Sequence, residues 1–208
     1  TGMWAAIGAL SAALDRAATG EGRRVHTSLL AGAMGLMTME AQRYLSTGAL
    51  PVATGNDHAM IAPYGVFAAR DGLLVLGGGT EAMWVKICQV LGREDLLSQP
   101  DYADNALRVK NRAGLRAELN AALQADDRLA WTERLVAAGV PAGPVWSVAE
   151  AFADPHILSS GRIVSVEHPV LGEVRQVAVP IAFGDSVGIA EYRAPPLLGQ
   201  HSVEVLRE

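Results

Sequence analysis

The chain has 208 residues, and 50% of them are apolar, which suffices to bury a core in one large domain or two small ones. A net charge of −5 with scattered basic residues excludes a general nucleic-acid binder, because such binding needs clustered lysine and arginine. The longest apolar run, residues 3–14, is shorter than the roughly 20 residues that cross a bilayer, and it lacks the basic flank of a signal peptide. We therefore expect no membrane partner and no nucleic-acid partner.

The cysteine and histidine content gives no sign of a metal or redox centre. The single cysteine, Cys88, excludes an intrachain disulfide and lies in an apolar helical pattern, which predicts a buried, reduced thiol in a cytoplasmic protein. No two of the five histidines have the i, i+4 spacing that places paired ligands on one helix face. We expect no metal ion and no redox cofactor.

The first fifty residues predict two helices. Residues 1–18 carry small side chains on every face, which is typical of a helix that is buried on all sides and needs covering elements. Thr27 and Ser28 are candidate N-caps for a second helix that runs to about Tyr44, and Gly48 supplies its end.

The composition changes after residue 50. Prolines, a glycine and an asparagine within residues 50–63 predict an extended connection between two domains. Residues 64–69 and 73–76 follow as the strands of a β-hairpin, with Asp71-Gly72 in its turn.

A glycine triplet joins this hairpin to the next helix. Gly77-Gly78-Gly79 ends the second strand, and Thr80 and Gly92 are the expected N-cap and end of a helix over residues 81–91. A strand that ends in glycines before a helix can leave backbone N–H groups free to hold a phosphate or an oxyanion. The G-x-G-x-x-G and Walker patterns are both missing, so a simple tight link is an equally good interpretation.

The rest of the chain predicts further helices and a second hairpin. Leu115, Leu119 and Leu123 recur at i+4 in one helix, and the next, which carries Leu129 and Leu135, ends at Gly139. The sequence then predicts a rigid turn over residues 140–145 and a short helix that is capped by Ser147 and ends at Asp154-Pro155. A β-hairpin from residues 163–167 and 174–179 follows, and a short helix ends the chain.

Several of these stretches together resemble one enzyme family. Arg16 leads through Thr19-Gly20-Glu21-Gly22 to Ser28-Leu29-Leu30, Gly55-Asn56 is followed by His58, and residues 61–67 read Ile-Ala-Pro-Tyr-Gly-Val-Phe. In these motifs the chain resembles the family III CoA-transferases, which include formyl-CoA and carnitine CoA-transferases and the α-methylacyl-CoA racemases. The resemblance extends over the whole chain but covers only the C-terminal half or so of such a protein.

The resemblance implies an α/β fold in which two chains form intertwined rings. Residues 1–50 would form helices of the large domain, and residues 51–160 a linker and a small α+β domain. Residues 161–208 would return to the large domain with a β-hairpin. The implied partner is a second copy in a homodimer or an N-terminal partner chain.

The resemblance also implies an acyl-CoA transferase that moves CoA between carboxylic acids, with the CoA thioester as a substrate rather than a cofactor. In the family an aspartate attacks the thioester, and a mixed anhydride and then an aspartyl-CoA thioester form before transfer to the acceptor. The family places that aspartate just upstream of Thr1, so we expect no catalytic residue in this chain. The substrate-binding residues that the resemblance implies are Asn56, His58, Tyr64, Gly77, Gly78 and Gly79.

Two other functions stay open. A 2-methylacyl-CoA racemase would need a pair of general bases at the α-carbon. Racemases tend to carry a glutamate one helical turn ahead of an aromatic residue, where this chain has Thr80 before Trp84, so the transferase is favoured. A non-catalytic remnant or assembly subunit would keep the fold and bind CoA weakly or not at all. The chain is accordingly part of a longer enzyme, a split-gene subunit or a remnant.

Overall fold

The computed structural model describes residues 1–184, 186–187 and 191–207. The chain divides into two compact units, an N-terminal unit of residues 1–56 and a C-terminal unit from residue 57 onward. The three-part domain division that the sequence suggests stays a prediction.

The N-terminal unit contains three helices instead of the expected two. They are α1 (Gly2–Thr19), α2 (Leu29–Leu36) and α3 (Thr38–Thr47). The prediction of one continuous second helix was wrong, because the chain breaks at Met37, whose N–H donates to the Met34 carbonyl at 3.1 Å. Two glycines among the eight residues of α2 weaken the helix just before the break.

The ends of these helices follow the predicted capping chemistry. The Ser28 hydroxyl accepts the Ala31 N–H at 3.1 Å, so Ser28 is the N-cap of α2. Gly48 ends α3 in a left-handed conformation with φ of 71°, which a residue with a Cβ adopts only under strain. Local sequence therefore sets where α2 begins and where α3 ends.

Helix α1 packs on α2 through small residues but is not buried on all sides. A Cβ on Gly32 would lie 2.6 Å from the Thr1 hydroxyl, and one on Gly35 would lie 3.7 Å from the Trp4 ring. No residue of α1 is buried. Helix α1 is therefore uncovered within this chain, and its burial by covering elements from elsewhere stays a prediction.

The C-terminal unit is built on a three-stranded antiparallel sheet, ordered β1-β2-β3. Strands β1 (Tyr64–Ala68) and β2 (Leu73–Gly77) form the predicted first hairpin. The prediction of a turn over residues 140–145 was wrong in part, because β3 (Ala142–Pro144) pairs with the free edge of β2. Tertiary pairing thus makes a strand from a sequence rich in glycine and proline.

Helices cover one face of this sheet. Thr80 caps the first of them and Gly92 ends it, as predicted, and the leucines of α6 are buried. The helices are α4 (Glu81–Leu91), α5 (Asn105–Lys110), α6 (Arg112–Leu123) and α7 (Arg128–Ala137), with short 3-10 helices at Glu94–Ser98 and Pro100–Tyr102 between α4 and α5. The core includes Leu74 and Leu76 from the sheet together with Ile87, Leu96, Leu115, Leu119, Leu123 and Leu135.

The remaining elements are short. Ser147 begins α8 (Val148–Ala153) with a capping box that includes Glu150, and α9 (Pro155–Ser159) follows directly. The second predicted hairpin is present as β4 (Ile163–His168) and β5 (Gly172–Val177). Strands β6 (Ala182–Phe183) and β7 (Ser186–Val187) and helix α10 (Ser202–Val205) complete the described elements. Within the described ranges, no helix is long and apolar enough to cross a membrane.

Candidate functional site

An open cleft of about 440 Å³ lies on the face of the three-stranded sheet that the helices leave uncovered. Alternation along β2 creates this face, because Leu74 and Leu76 point into the core while Val75 points away from it. Its lining carries no charged side chain and consists of Tyr64, Val75, Gly77, Gly79, Met83, Pro141, Ala142 and Gly143. An apolar cleft of this size suits the uncharged part of a small ligand.

Two of the predicted site residues form the floor of the cleft. Tyr64 lies directly opposite Gly77 in the pairing of β1 with β2. The Gly77 N–H donates to the Pro141 carbonyl at 2.9 Å. A Cβ on Gly77 would meet the Tyr64 ring and the Pro141 side chain, each at 3.6 Å, so the missing side chain widens the cleft. The structure therefore brings Tyr64 and the end of β2 together, and their role in substrate binding stays a prediction.

The other two glycines of the triplet have different roles. The Gly78 N–H donates to the Pro63 carbonyl at 2.8 Å, and a Cβ on Gly78 would lie 2.8 Å from that oxygen and 2.9 Å from Ile87 Cδ1. Gly79 has open space around its Cα, and its N–H has no acceptor among the residues that the structure describes. Hence two of the three N–H groups hold the turn together, and Gly79 keeps a free donor at the cleft.

His58 lies behind Tyr64 and supports it. The two rings stack with centroids 5.2 Å apart and an interplanar angle of 12°. The His58 N–H donates to the Tyr64 carbonyl at 2.9 Å, and His58 Nδ1 accepts the Met60 N–H at 3.2 Å. Since Nδ1 is an acceptor here, the proton of a neutral ring is on Nε2. Asn56 is exposed in a turn with Gly55 at the end of the N-terminal unit, and its role stays a prediction.

Two arginines of α6 hold the loop that carries His58. Arg112 donates to the His58 carbonyl at 2.6 Å, and Arg116 donates to the Val66 carbonyl and pairs with Asp57. The cavity between these arginines and Tyr64 measures about 10 Å³, which admits no more than one water molecule. This cluster is therefore a support for the loop and not a ligand pocket.

Sequence reasoning missed Arg108, which is 1% exposed. Its guanidinium donates to the Ala62 carbonyl at 2.8 Å and to the Tyr102 carbonyl at 3.0 Å, and pairs with Glu81 at 2.5 Å. It also lies over the Trp84 ring, 5.2 Å from the centroid. The available signal was spacing, because Arg108 stands seven residues before Leu115 in the apolar repeat of the core.

The predicted burial of Cys88 is confirmed, and the thiol does not take part in the cleft. Burial raises the pKa of Cys88 to about 12, with a further contribution from the negative charge of Asp95. Such a thiol is protonated and unreactive at neutral pH. Over residues 1–184, 186–187 and 191–207, no group of three histidines, cysteines or acidic residues is placed to hold a metal ion.

Comparison with known proteins agrees with the resemblance that the motifs suggest. Residues 1–202 match CoA-transferase family III. The chain is 30% identical over 208 residues to the succinyl-CoA:glutarate CoA-transferase of Homo sapiens, with 100% of this chain and 47% of that protein aligned. It is 32% identical over 209 residues to the succinyl-CoA:mesaconate CoA-transferase of Haloarcula marismortui, with 100% of this chain and 52% of that protein aligned.

A solved structure supports the same relationship. A CAIB/BAIF family protein from Brucella suis superimposes with a TM-score of 0.79 at 31% identity, over 100% of this chain and 53% of that chain. The chain therefore has the mixed helix and sheet fold of these proteins, and it spans about half the length of the curated relatives that it matches.

Proposed function

The chain belongs to CoA-transferase family III, and from this membership we propose that its protein moves CoA between carboxylic acids through an aspartyl-CoA intermediate. The observation that carries the proposal is the family match, which extends over residues 1–202 and not over an isolated motif. The nucleophilic aspartate is proposed to lie upstream of Thr1. Residues of this chain then bind and orient the thioester instead of attacking it.

The proposed chemistry consists of two acyl transfers at the aspartate. A carboxylate oxygen attacks the thioester carbonyl carbon, the C–S bond breaks, and CoA leaves as a thiolate, so that a mixed anhydride remains. The thiolate then attacks the aspartyl carbonyl carbon, which releases the donor acid and leaves aspartyl-CoA. An acceptor carboxylate passes through the same steps in reverse and leaves as the new thioester. No electron acceptor or metal ion enters this sequence.

We propose that the cleft at Tyr64 and the glycine triplet binds the thioester end of the substrate. In the first step negative charge develops on the thioester oxygen, and the free N–H of Gly79 stands at the positive end of α4, where it can donate to that oxygen. His58 keeps the Tyr64 ring in place by stacking. Asn56, the last residue of the N-terminal unit, is proposed from the family resemblance as a further substrate-binding residue.

We propose dicarboxylic acids as the substrate class, since the relatives named above transfer CoA between succinate and glutarate or mesaconate according to their names. The apolar floor of the cleft fits the methylene chain of such an acid. We further propose a cytoplasmic protein that works as a homodimer or with an N-terminal partner chain. Support comes from the large apolar side chains that the N-terminal unit exposes, among them Met3, Leu10 and Leu14.

The test uses the natural full-length protein with succinyl-CoA and a panel of dicarboxylates, with product thioesters followed by mass spectrometry. Hydroxylamine added during turnover should convert the proposed aspartyl-CoA into a hydroxamate on the upstream aspartate, and replacement of that aspartate by asparagine should abolish both transfer and trapping. Transfer without trapping would contradict the covalent route. If the substrate's α-proton exchanges with D₂O while no CoA is transferred, the protein is a racemase and the transferase proposal is wrong.

A pair of substitutions tests the donor role of Gly79. Gly79→Ala keeps the N–H and has space for the methyl group, so turnover should stay near that of the unsubstituted protein. Gly79→Pro removes the N–H, and kcat should fall by about 100-fold or more, as for loss of an oxyanion donor elsewhere. Equal turnover of the two variants, with equal melting temperatures, would exclude this role.

A further inference from the structure

Arg108 is buried in a place where packing by itself does not require a charge. Its side chain is 1% exposed, whereas the side chain of its partner Glu81 is 61% exposed, so half of the ion pair stays in water. Burying a guanidinium costs free energy, and an apolar side chain of similar volume often fills such a site with equal or greater stability. The arrangement therefore calls for an explanation other than stability.

The explanation lies in what the guanidinium holds. Arg108 Nε donates to the Ala62 carbonyl at 2.8 Å, and Asn105, on the same helix, accepts the Ala62 N–H at 3.1 Å. Helix α5 thus forms hydrogen bonds with both the backbone N–H and the carbonyl of Ala62. The next residue, Pro63, has no N–H, and its carbonyl accepts the Gly78 N–H at 2.8 Å. A continuous path of hydrogen bonds and covalent bonds therefore joins Arg108 to the glycine turn.

The same guanidinium reaches the turn from its other side. Arg108 Nη2 pairs at 2.5 Å with Glu81, the first residue of α4, while Thr80 caps that helix by accepting the Met83 N–H at 3.2 Å. Gly79 lies between Gly78, which is linked to Arg108 through Pro63 and Ala62, and Glu81, which Arg108 contacts directly. Three divergent donors in one rigid plane suit this task, and the point charge of a lysine does not.

We propose that Arg108 is a positioning residue, which aims the N–H of Gly79 and the first turn of α4 into the cleft without touching the substrate. This inference rests on the function proposed above and adds to it a residue outside the cleft that controls the efficiency of transfer. Displacement of reacting groups by about 1 Å can lower a rate by as much as 100-fold, so small movements of the turn matter.

The test compares two arginines in the natural full-length protein. Arg108→Met and Arg108→Lys remove the combined contacts of the guanidinium with Ala62, Tyr102 and Glu81. Arg93→Met is the matched control, because Arg93 also joins a helix end to two carboxylates, Asp95 and Glu118, but lies away from the cleft. The measurements are kcat/KM for the acyl-CoA donor, the melting temperature, and amide hydrogen exchange of the peptide over residues 77–83.

Both Arg108 variants should lower kcat/KM about 10-fold to 100-fold and speed exchange of residues 77–83 about 10-fold. Arg93→Met should lower the melting temperature and leave both other quantities unchanged. Glu81→Gln keeps the bonds from Arg108 to the two carbonyls, so it should change exchange less than Arg108→Lys does. This order of effects would show that the hydrogen bond from Arg108 to Ala62 matters more for the position of the turn than the ion pair with Glu81.

The inference would be overturned if the Arg108 variants have a lower melting temperature but unchanged kcat/KM and unchanged amide exchange. Arg108 would then be a residue that only stabilises the fold. A failure of the proposed function is distinguishable from this result. In that case the unsubstituted protein transfers no CoA and binds no succinyl-CoA, while the exchange of residues 77–83 still shows whether Arg108 holds the turn.

Discussion

The N-terminal and C-terminal units use similar apolar sequences with opposite results. Within residues 1–56, Gly32 is the only buried residue, although α1 and α2 are rich in leucine, methionine and alanine. In the C-terminal unit, Leu74, Leu119 and Leu135 are fully enclosed between the sheet and its helices. An apolar segment becomes a core only where other elements of the fold close around it.

This difference shows which signals are local. Capping residues and glycine stops act within a few residues, so they fix helix ends equally well in both units. Burial depends on partners that the segment cannot specify.

Leucine truncation should separate the two units most clearly. Leu119→Ala empties an enclosed site in α6 and should cost about 2–5 kcal/mol of unfolding free energy. Leu10→Ala removes a side chain that is 67% exposed in α1 and should change stability by no more than about 0.5 kcal/mol. Urea unfolding followed by circular dichroism measures both. A large loss at Leu10 would show that a partner covers α1 in solution, and sedimentation would identify the assembly.

Glycine substitution gives the next largest contrast. Gly78→Ala forces a methyl group to within 3 Å of Pro63 and Ile87 and should destabilise the C-terminal unit by about 1–3 kcal/mol. Gly35→Ala places its methyl group in ordinary contact with Trp4, and alanine favours a helix, so stability should rise by roughly 0.5 kcal/mol. The melting temperatures of the two variants measure this contrast. An unchanged melting temperature in Gly78→Ala would contradict the close approach of Gly78 to Pro63.

Removal of the two side-chain caps should cost similar free energies. Thr80→Ala and Ser28→Ala each lose one hydrogen bond to a helix N–H and should each cost about 1 kcal/mol. The consequences differ, since α4 is part of the core and α2 is exposed. Thr80→Ala should lower the midpoint of cooperative unfolding, and Ser28→Ala should speed amide exchange mainly within α2. A lowered unfolding midpoint in Ser28→Ala would indicate that α2 is coupled to a core.

Sulfur chemistry gives a comparison without any substitution. Iodoacetamide at pH 8 should leave Cys88 unmodified in the native protein and modify it in urea, because its pKa is raised to about 12. Peroxide should oxidise Met3 and Met34, which are 78% and 62% exposed, under the same native conditions. Alkylation of native Cys88 at the rate of the urea-unfolded chain would contradict its burial.

The same shift predicts a dependence of stability on pH. The folded state keeps the Cys88 thiol protonated in a range where the unfolded chain, with an ordinary pKa of 9.0, has lost the proton. The unfolded state therefore binds fewer protons, and the free energy of unfolding should fall as the pH rises from 9.0 to about 12. Cys88→Ala should reduce this fall in chemical denaturation at several pH values, and an unchanged pH profile would exclude the cysteine as its cause.

Much of the candidate site was within reach of sequence reasoning. The β-hairpin, the glycine triplet and the cap of α4 depend on neighbours in the chain, and each is present where the pattern predicts it. The chemical use of the triplet was not predictable. Which glycine N–H stays free is decided by Pro63 and Pro141, which approach from distant parts of the chain.

The start of α2, both ends of α4, the two hairpins and membership in CoA-transferase family III could be predicted from the sequence, because they follow from local conformational preferences and from family motifs in the chain. Three features required the folded chain: residues 142–144 form a strand, α1 stays uncovered within the chain, and Arg108 is enclosed. Pairing, burial and the hydrogen bonds of a buried charge each need partners that lie far apart in sequence, and the folded chain alone brings those partners together.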